Sequence, residues 1–244
     1  MYRESALIGE LIQSGITCWA EQSWLLNGFL HGFAGVSPFN LQETKNKIAN
    51  IMGVDCCFEL EQIHSNEIIN IDELGLDEVE KRLQTGTLKG DAFVFNLEQK
   101  KKFMTVIKTA DCVPIIIKGT RRCAVVHAGW RGLVSGIVEK ATELVTSKCS
   151  NRKIECVIGP CICAKCYEVG DDLATKFSDS CLEKKNDGKY LLNLALSAEQ
   201  AIKNISPDAI VKSCGICTKE NQNFYSYRGN PEIKARNLTF VCSD

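Results

Sequence analysis

Apolar residues along this chain come in two patterns: short unbroken runs, and longer stretches spaced by three and four. The runs at 92–95, 103–107, 113–117 and 123–127 are bounded by Gly, Lys or Arg clusters and predict strands. Residues 154–158, stopped by Gly159-Pro160, predict another. Three stretches predict helices. Asn40 and Glu43 make a capping-box pattern ahead of Leu41, Ile48, Ile51 and Met52, with Gly53 placed to end the helix. The clearest amphipathic face runs from Gly132 to about residue 149, through Leu133, Val134, Ile137, Val138, Ala141, Leu144 and Val145. Asn193 is placed to cap a third helix bearing Leu194, Ala198, Ala201, Ile202 and Ile205, stopped by Pro207. Strands near 209–211 and 238–241 close the chain. The strand–helix–strand unit over 123–158 is α/β logic, and the whole of 1–244 reads as a single α/β (α+β) domain with mixed sheets.

Bulk charge narrows the partners. A formal net charge of −1, with 24% charged and 45% hydrophobic residues, describes an ordinary globule and asks for neither nucleic acid nor an anionic membrane. No apolar run approaches the roughly 20 residues that span a bilayer. Met1-Tyr2-Arg3-Glu4 lacks the build of a signal peptide, so a cytoplasmic protein is expected. Fourteen cysteines are many, but several lie inside apolar runs, as Cys123, Cys156 and Cys242 do. Reduced, buried thiols are the expectation.

Histidine is scarce: His31, His64 and His127 are the whole complement. Thr109-Ala110-Asp111-Cys112-Val113-Pro114 precedes one predicted strand, and His127 ends the next, before Ala128-Gly129-Trp130-Arg131-Gly132. If those strands form a hairpin across the polar turn at 118–122, Cys112 and His127 come together. A thiolate beside an imidazole either holds a metal or arms a nucleophile. A lone histidine after a strand is usually structural; only as a third member does His64 complete a three-ligand zinc set with an open fourth position. His31 is the spare, able in principle to line the site instead. The turn into the helix at Arg131 also offers backbone amides and a guanidinium to an anion, although the Lys-Ser/Thr ending of a Walker loop is missing; a plain packing turn is the alternative.

A second group of cysteines competes for notice. Cys161, Cys163 and Cys166 lie near Pro160, and Cys214 and Cys217 lie some fifty residues on. A structural zinc or an iron–sulfur site is one reading. The Cys-x-Cys-x-x-Cys spacing matches no common ligand pattern, so free thiols are preferred.

Gln62-Ile63-His64, Gly90-Asp91-Ala92, Thr109 to Pro114, Val126 to Gly132, Ile158-Gly159-Pro160-Cys161-Ile162 with Cys166-Tyr167-Glu168-Val169, and Cys217-Thr218 with Phe224 to Arg228 occur in that order. Together they resemble the YfiH family of purine nucleoside phosphorylases, once labelled multicopper polyphenol oxidases or laccases. The resemblance covers nearly the whole chain. It implies a four-layer α/β/β/α fold with mixed sheets, related to the cytotoxic necrotizing factor deamidases. It also implies one zinc per chain held by His64, Cys112 and His127, and cleavage of purine nucleosides by phosphate. Adenosine deamination and methylthioadenosine phosphorolysis are further activities it suggests. Two departures stand out. Phe33-Ala34-Gly35-Val36-Ser37 is shorter than the family's Thr-Arg-Gly-Gly-Val-Ser and lacks its arginine, and Ala235-Arg236 replaces the usual Gly-Arg.

The residues also weigh against the neighbouring chemistries. Three histidines, none in a His-x-His pair, cannot ligate the four coppers of a laccase. Copper enters only as an adventitious substitute at the zinc site, giving minor oxidase activity. The zinc deaminase signature, His-x-Glu with Pro-Cys-x-x-Cys, is absent. The working expectation is a zinc enzyme taking a purine nucleoside and phosphate, as a monomer or weak homodimer. In it Arg131 holds phosphate, Asp111 or Asp91 moves a proton, Trp130 or Tyr227 stacks on the base, and Arg228 contacts substrate. The alternative is a metal-free hydrolase of the amidase or deamidase type, with Cys112 as nucleophile and His127 as base.

Overall fold

The computed structural model describes residues 3–86, 88–147 and 153–243. The predicted apolar runs are strands, and most form one six-stranded sheet. Its order is Ile210–Ser213, Glu155–Ile158, Val113–Lys118, Arg122–Ala128, Ala92–Asn96, Ile68–Asn70. The outermost pair at each edge is parallel and the inner pairs are antiparallel.

Alternation along these strands explains why their sequences are continuously apolar. Ala92, Val94, Ile115, Ile117, Ala124 and Val126 pack toward the helices Ile137–Thr146 and Leu194–Ile205. Phe93, Phe95, Ile116, Val125 and Val157 face the other way and meet Phe33, Phe58, Phe103, Ile107 and Val241 of a second sheet. That five-stranded sheet runs Cys18–Trp19, His31–Ala34, Asn237–Cys242, Phe103–Thr109, Cys56–Glu59. Its far face packs Met104, Val106, Leu238 and Phe240 on the helices Arg3–Gln13 and Leu41–Met52. Helices, sheet, sheet and helices make the expected four layers. A small three-stranded sheet, Glu168–Val169, Tyr190–Leu192 and Leu182–Lys184, sits beside them.

Asn40 and Glu43 form the reciprocal capping box ahead of Leu41–Met52, and Asn193 accepts from the Leu196 amide. The long helix expected from Gly132 differs. It is two helices, Trp130–Val134 and Ile137–Thr146, broken at Ser135-Gly136. Gly136 has φ +81°, a conformation that a glycine adopts without strain and that a helix cannot continue through. Ser135 donates instead to the carbonyls of Arg131 and Gly132, closing the first piece. The apolar spacing persists across the break because both pieces pack on one sheet face. The expected end near 149 lies outside the described residues. The first helix, the Leu76–Gln84 helix and the short edge strands are not among the predicted elements.

Candidate metal centre

The Val113–Lys118 and Arg122–Ala128 strands form the expected hairpin, with Pro114 opposite His127 and Val113 opposite Ala128. Cys112, one residue before Pro114's strand, therefore lies across from Gly129, whose missing side chain leaves room for the thiol. A Cβ there would stand 3.0 Å from Cys112 Sγ and 3.2 Å from His64 Cδ2. His64 arrives on the loop between Cys56–Glu59 and Ile68–Asn70. Gln62 clamps that loop to the other sheet: its amide donates to the Lys108 carbonyl at 2.8 Å, and its carbonyl accepts from the Lys108 amide at 2.7 Å.

Ligand atoms of His64, Cys112 and His127 all lie within 4.8 Å of one another. The two imidazoles meet edge to face, centroids 4.8 Å apart. His127 is buried, Cys112 half-buried and His64 exposed, so the set opens to solvent on the His64 side. Two non-glycine residues of the described chain have positive φ, His64 at +57° and Asp111 at +96°. Both adjoin the thiol, and such strain persists where surrounding bonds over-determine the backbone.

Those bonds come from two aspartates. Asp91 is fully buried, and its carboxylate accepts from His127 Nδ1 at 2.8 Å, from the amides of His64 and Ser65 at 3.0 and 2.6 Å, and from Ser65 Oγ at 2.8 Å. One carboxylate thus holds the loop of one ligand and the ring of another, leaving His127 Nε2 toward Cys112. Asp111 accepts from Thr218 Oγ1 at 2.7 Å and from the Arg228 amide at 2.6 Å. Both of its oxygens are engaged in holding the backbone turn that aims Cys112.

The electrostatics follow. Burial opposes the Cys112 thiolate, yet hydrogen bonds from His127 and His64 outweigh it and bring its pKa down to about 6. Burial would lower His127, but Asp91 and Cys112 raise it to about 9. Asp91 is held down at about 2, its burial outweighed by His127 and Ser65. A thiolate with two imidazoles, one oriented by a carboxylate, is a soft donor set of the kind that binds zinc.

A cleft of about 600 Å³ stands over the set, walled by Gln62, Lys108, Thr109, Tyr227, Lys234 and Arg236 among others. Among the described residues, no carboxylate pairs with Lys234 or Arg236. Arg236 spends one guanidinium nitrogen on the carbonyls of Ile233 and Ala235. A separate cleft of about 390 Å³, at Lys118, Thr120, Glu155 and Asp208, brings together no nucleophile or soft donor.

Of the predicted residues, the structure brings together His64, Cys112 and His127, with Asp91 and Asp111 behind them and Tyr227 on the cleft wall, 54% exposed. Trp130 and Arg131 do not line this cleft; the guanidinium lies over the indole, 4.3 Å from its centroid. Arg228 turns away, donating to the Glu168 carbonyl at 3.1 Å and lying over the Tyr167 ring. His31 is remote from the site and buried in the five-stranded sheet, bonded to Phe29 and Glu21. Lys108, Lys234 and Arg236 were missed. Lys234 and Arg236 sit on coil without periodicity, and their only sequence signal is charge beside the Ala235-Arg236 departure.

Fold and donor set define a class: a layered α+β domain with a candidate cysteine–histidine metal site at the floor of a cleft walled in part by Lys234 and Arg236. The family described as multi-copper polyphenol oxidoreductase laccase matches residues 34–244, and the chain belongs to this family, the YfiH family. A purine nucleoside phosphorylase of Haemophilus influenzae is 30% identical over 179 residues, covering 69% of this chain and 67% of the relative. Adenosine deaminase RL5, from an unknown prokaryotic organism, is 30% identical over 218 residues, covering 80% and 79%. The crystal structure of Bacillus licheniformis hypothetical protein YfiH shares the fold, with a TM-score of 0.76 at 21% identity, covering 92% of this chain and 96% of that one. The multi-copper description does not fit the donors at this centre. With His31 bonded elsewhere, two imidazoles and one thiolate could hold one ion, not four.

Proposed function

We propose that this chain is a zinc-dependent purine nucleoside phosphorylase, with adenosine deamination as a second activity of the same cleft and methylthioadenosine among its substrates. The observation that carries the reading is adjacency: the donor set forms the floor of a cleft whose wall holds Lys108, Lys234 and Arg236. Names of the relatives, a phosphorylase and an adenosine deaminase, point to the same substrates. When bound, zinc supplies a Lewis acid at the cleft floor.

The chain's own residues do the rest. Lys234 and Arg236 hold phosphate, in place of Arg131. Arg236 also borders the small pocket at Gly35 and Ser37, so it supplies the cation that the 33–37 segment lacks. Tyr227 is the aromatic available to stack on the base. Asp91 and Asp111 act by positioning, since their oxygens are already taken. In the reaction an oxygen of hydrogen phosphate attacks C1′, the C1′–N9 bond breaks with its electron pair to the base, and the proton lost by hydrogen phosphate goes to the leaving base.

A specific observation favours the second reading: in the absence of metal, the lowered Cys112 and raised His127 describe a thiolate–imidazolium pair of the hydrolase kind. His64 weighs against it, because a cysteine–histidine nucleophile needs no second imidazole beside it on a positive-φ backbone. The test is inosine with and without phosphate, with products separated chromatographically. Hypoxanthine and ribose 1-phosphate should form only with phosphate and be lost in Cys112→Ala. Full turnover by protein stripped of metal would overturn the proposal.

A further inference from the structure

We infer that the chain carries a second, structural zinc site at Cys163, Cys166, Cys217 and Glu220. The fold brings together three of the cysteines expected to be free thiols and adds Glu220 to them. Ligand atoms of all four lie within 4.8 Å of one another. A parallel bridge between Cys161 and Cys217 lays the two segments side by side, with the Cys161 amide donating to the Ile216 carbonyl and the Thr218 amide to the Cys161 carbonyl.

The spacing is that of two facing knuckles, Cys163-x-x-Cys166 and Cys217-x-x-Glu220, with a carboxylate in the last place. The first knuckle is a 3-10 turn over Ala164–Cys166, a shape that points two side chains the same way. Backbone amides already face the sulfur of the second. The Cys163 amide lies 3.4 Å from Cys217 Sγ, and the amides of Lys219 and Glu220 also point at it. Glu220 reaches across, with one oxygen 3.9 Å from Cys163 Sγ and the other 3.5 Å from Cys166 Sγ. Zinc–sulfur bonds of about 2.3 Å place tetrahedral donors about 3.8 Å apart. Three cysteine sulfurs and one carboxylate, none more than 4.8 Å apart, need only a small contraction to suit a single tetrahedral zinc ion. An iron–sulfur cluster would need its ligands held wider. Cys163 and Cys166 are half-buried and Glu220 is exposed, which leaves an entry path.

The site has a structural consequence. Ile162, beside the first knuckle, donates its amide to the Asp111 carbonyl at 3.0 Å, and Thr218, within the second, donates to the Asp111 carboxylate. Zinc here would tie together the two loops that hold Asp111, and through it the turn carrying Cys112. It acts on the first centre by bracing it from behind.

Cobalt titration separates the two sites. Cys112→Ala protein should still bind about one equivalent of cobalt with the intense charge-transfer and visible bands of a tetrahedral thiolate complex. Zinc should displace that cobalt. Adding Cys163→Ser and Cys166→Ser should abolish the bands. The milder Glu220→Gln should keep them while weakening affinity by on the order of tenfold or more. Metal analysis of the unmodified chain, about two equivalents falling to one in Cys163→Ser/Cys166→Ser, checks the result without relying on Cys112→Ala. No thiolate–cobalt bands in Cys112→Ala protein, together with unchanged metal content in Cys163→Ser/Cys166→Ser, would overturn the inference. Neither result bears on whether the first centre turns over nucleosides.

Discussion

Asp91 Oδ1 accepts from His127 Nδ1 at 2.8 Å, and the same carboxylate gathers the amides of His64 and Ser65. This arrangement couples two ligands through one buried group. Asp91→Asn removes the charge and turns an amide N–H against donors that now find an acceptor. Metal affinity at the first centre should fall by roughly 10–100-fold, as for other outer partners of ligating histidines. Ser65→Ala, which deletes one of the bonds, should fall between. Chelator competition measures both, and an unchanged affinity in Asp91→Asn would remove Asp91 from the site.

Lys234 and Arg236 should act on phosphate alone. In Lys234→Ala and Arg236→Ala, KM for phosphate should rise about tenfold or more while metal content stays at the level of the unmodified chain. If KM for phosphate is unmoved and only nucleoside binding weakens, the cleft's cations serve another part of the substrate.

Cys112 titrates on the acid side of neutrality when no metal is bound. Its pKa of about 6 means that the thiolate is present above that value and is lost as pH falls through it. Alkylation by iodoacetamide after chelation should therefore rise through pH 6, not around the ordinary 9.0. His127→Asn should move the inflection upward. A profile centred near 9 in the unsubstituted protein would show that the histidines do not share their protons with this thiol.

His31 gives stability its own pH dependence. Burial, opposed by its bond to Phe29, lowers its pKa from 6.5 to about 4. Nε2 accepts from the Glu21 amide, so protonation breaks that bond. The folded pKa lies below the unfolded one. Stability is thus complete above about pH 6.5 and declines as pH falls toward 4, by roughly 3 kcal/mol from this group. Urea unfolding across that window should show the decline, and His31→Gln should flatten it whatever it does to absolute stability. Asp91 titrates lower, toward pH 2, and leaves that window clear.

The fold was legible wherever a strand is buried on both faces. Runs such as Ile115-Ile116-Ile117 alternate between two cores, so every residue is apolar and the run stands out. The helix break at Gly136 was hidden because packing on both sides of it follows one stripe. The donor set was legible because rarity of histidine and one short hairpin bring Cys112 to His127. Lys234 and Arg236 were not, because coil leaves no periodic trace of the wall it forms. The second cysteine group was half visible: each knuckle shows an x-x spacing, but the fourth donor is a glutamate, and pairing the halves needs the bridge between Cys161 and Cys217.

The pairing of Pro114 with His127 has a bearing on how the chain acquires metal. A hairpin is a local contact, so it brings Cys112 and His127 together on its own, as two of the three candidate donors. The third comes when the Ala92–Asn96 strand docks against Arg122–Ala128 and delivers Asp91, which draws in the loop of His64. Two of the three candidate donors thus depend on one hairpin alone, while the third depends on the whole sheet.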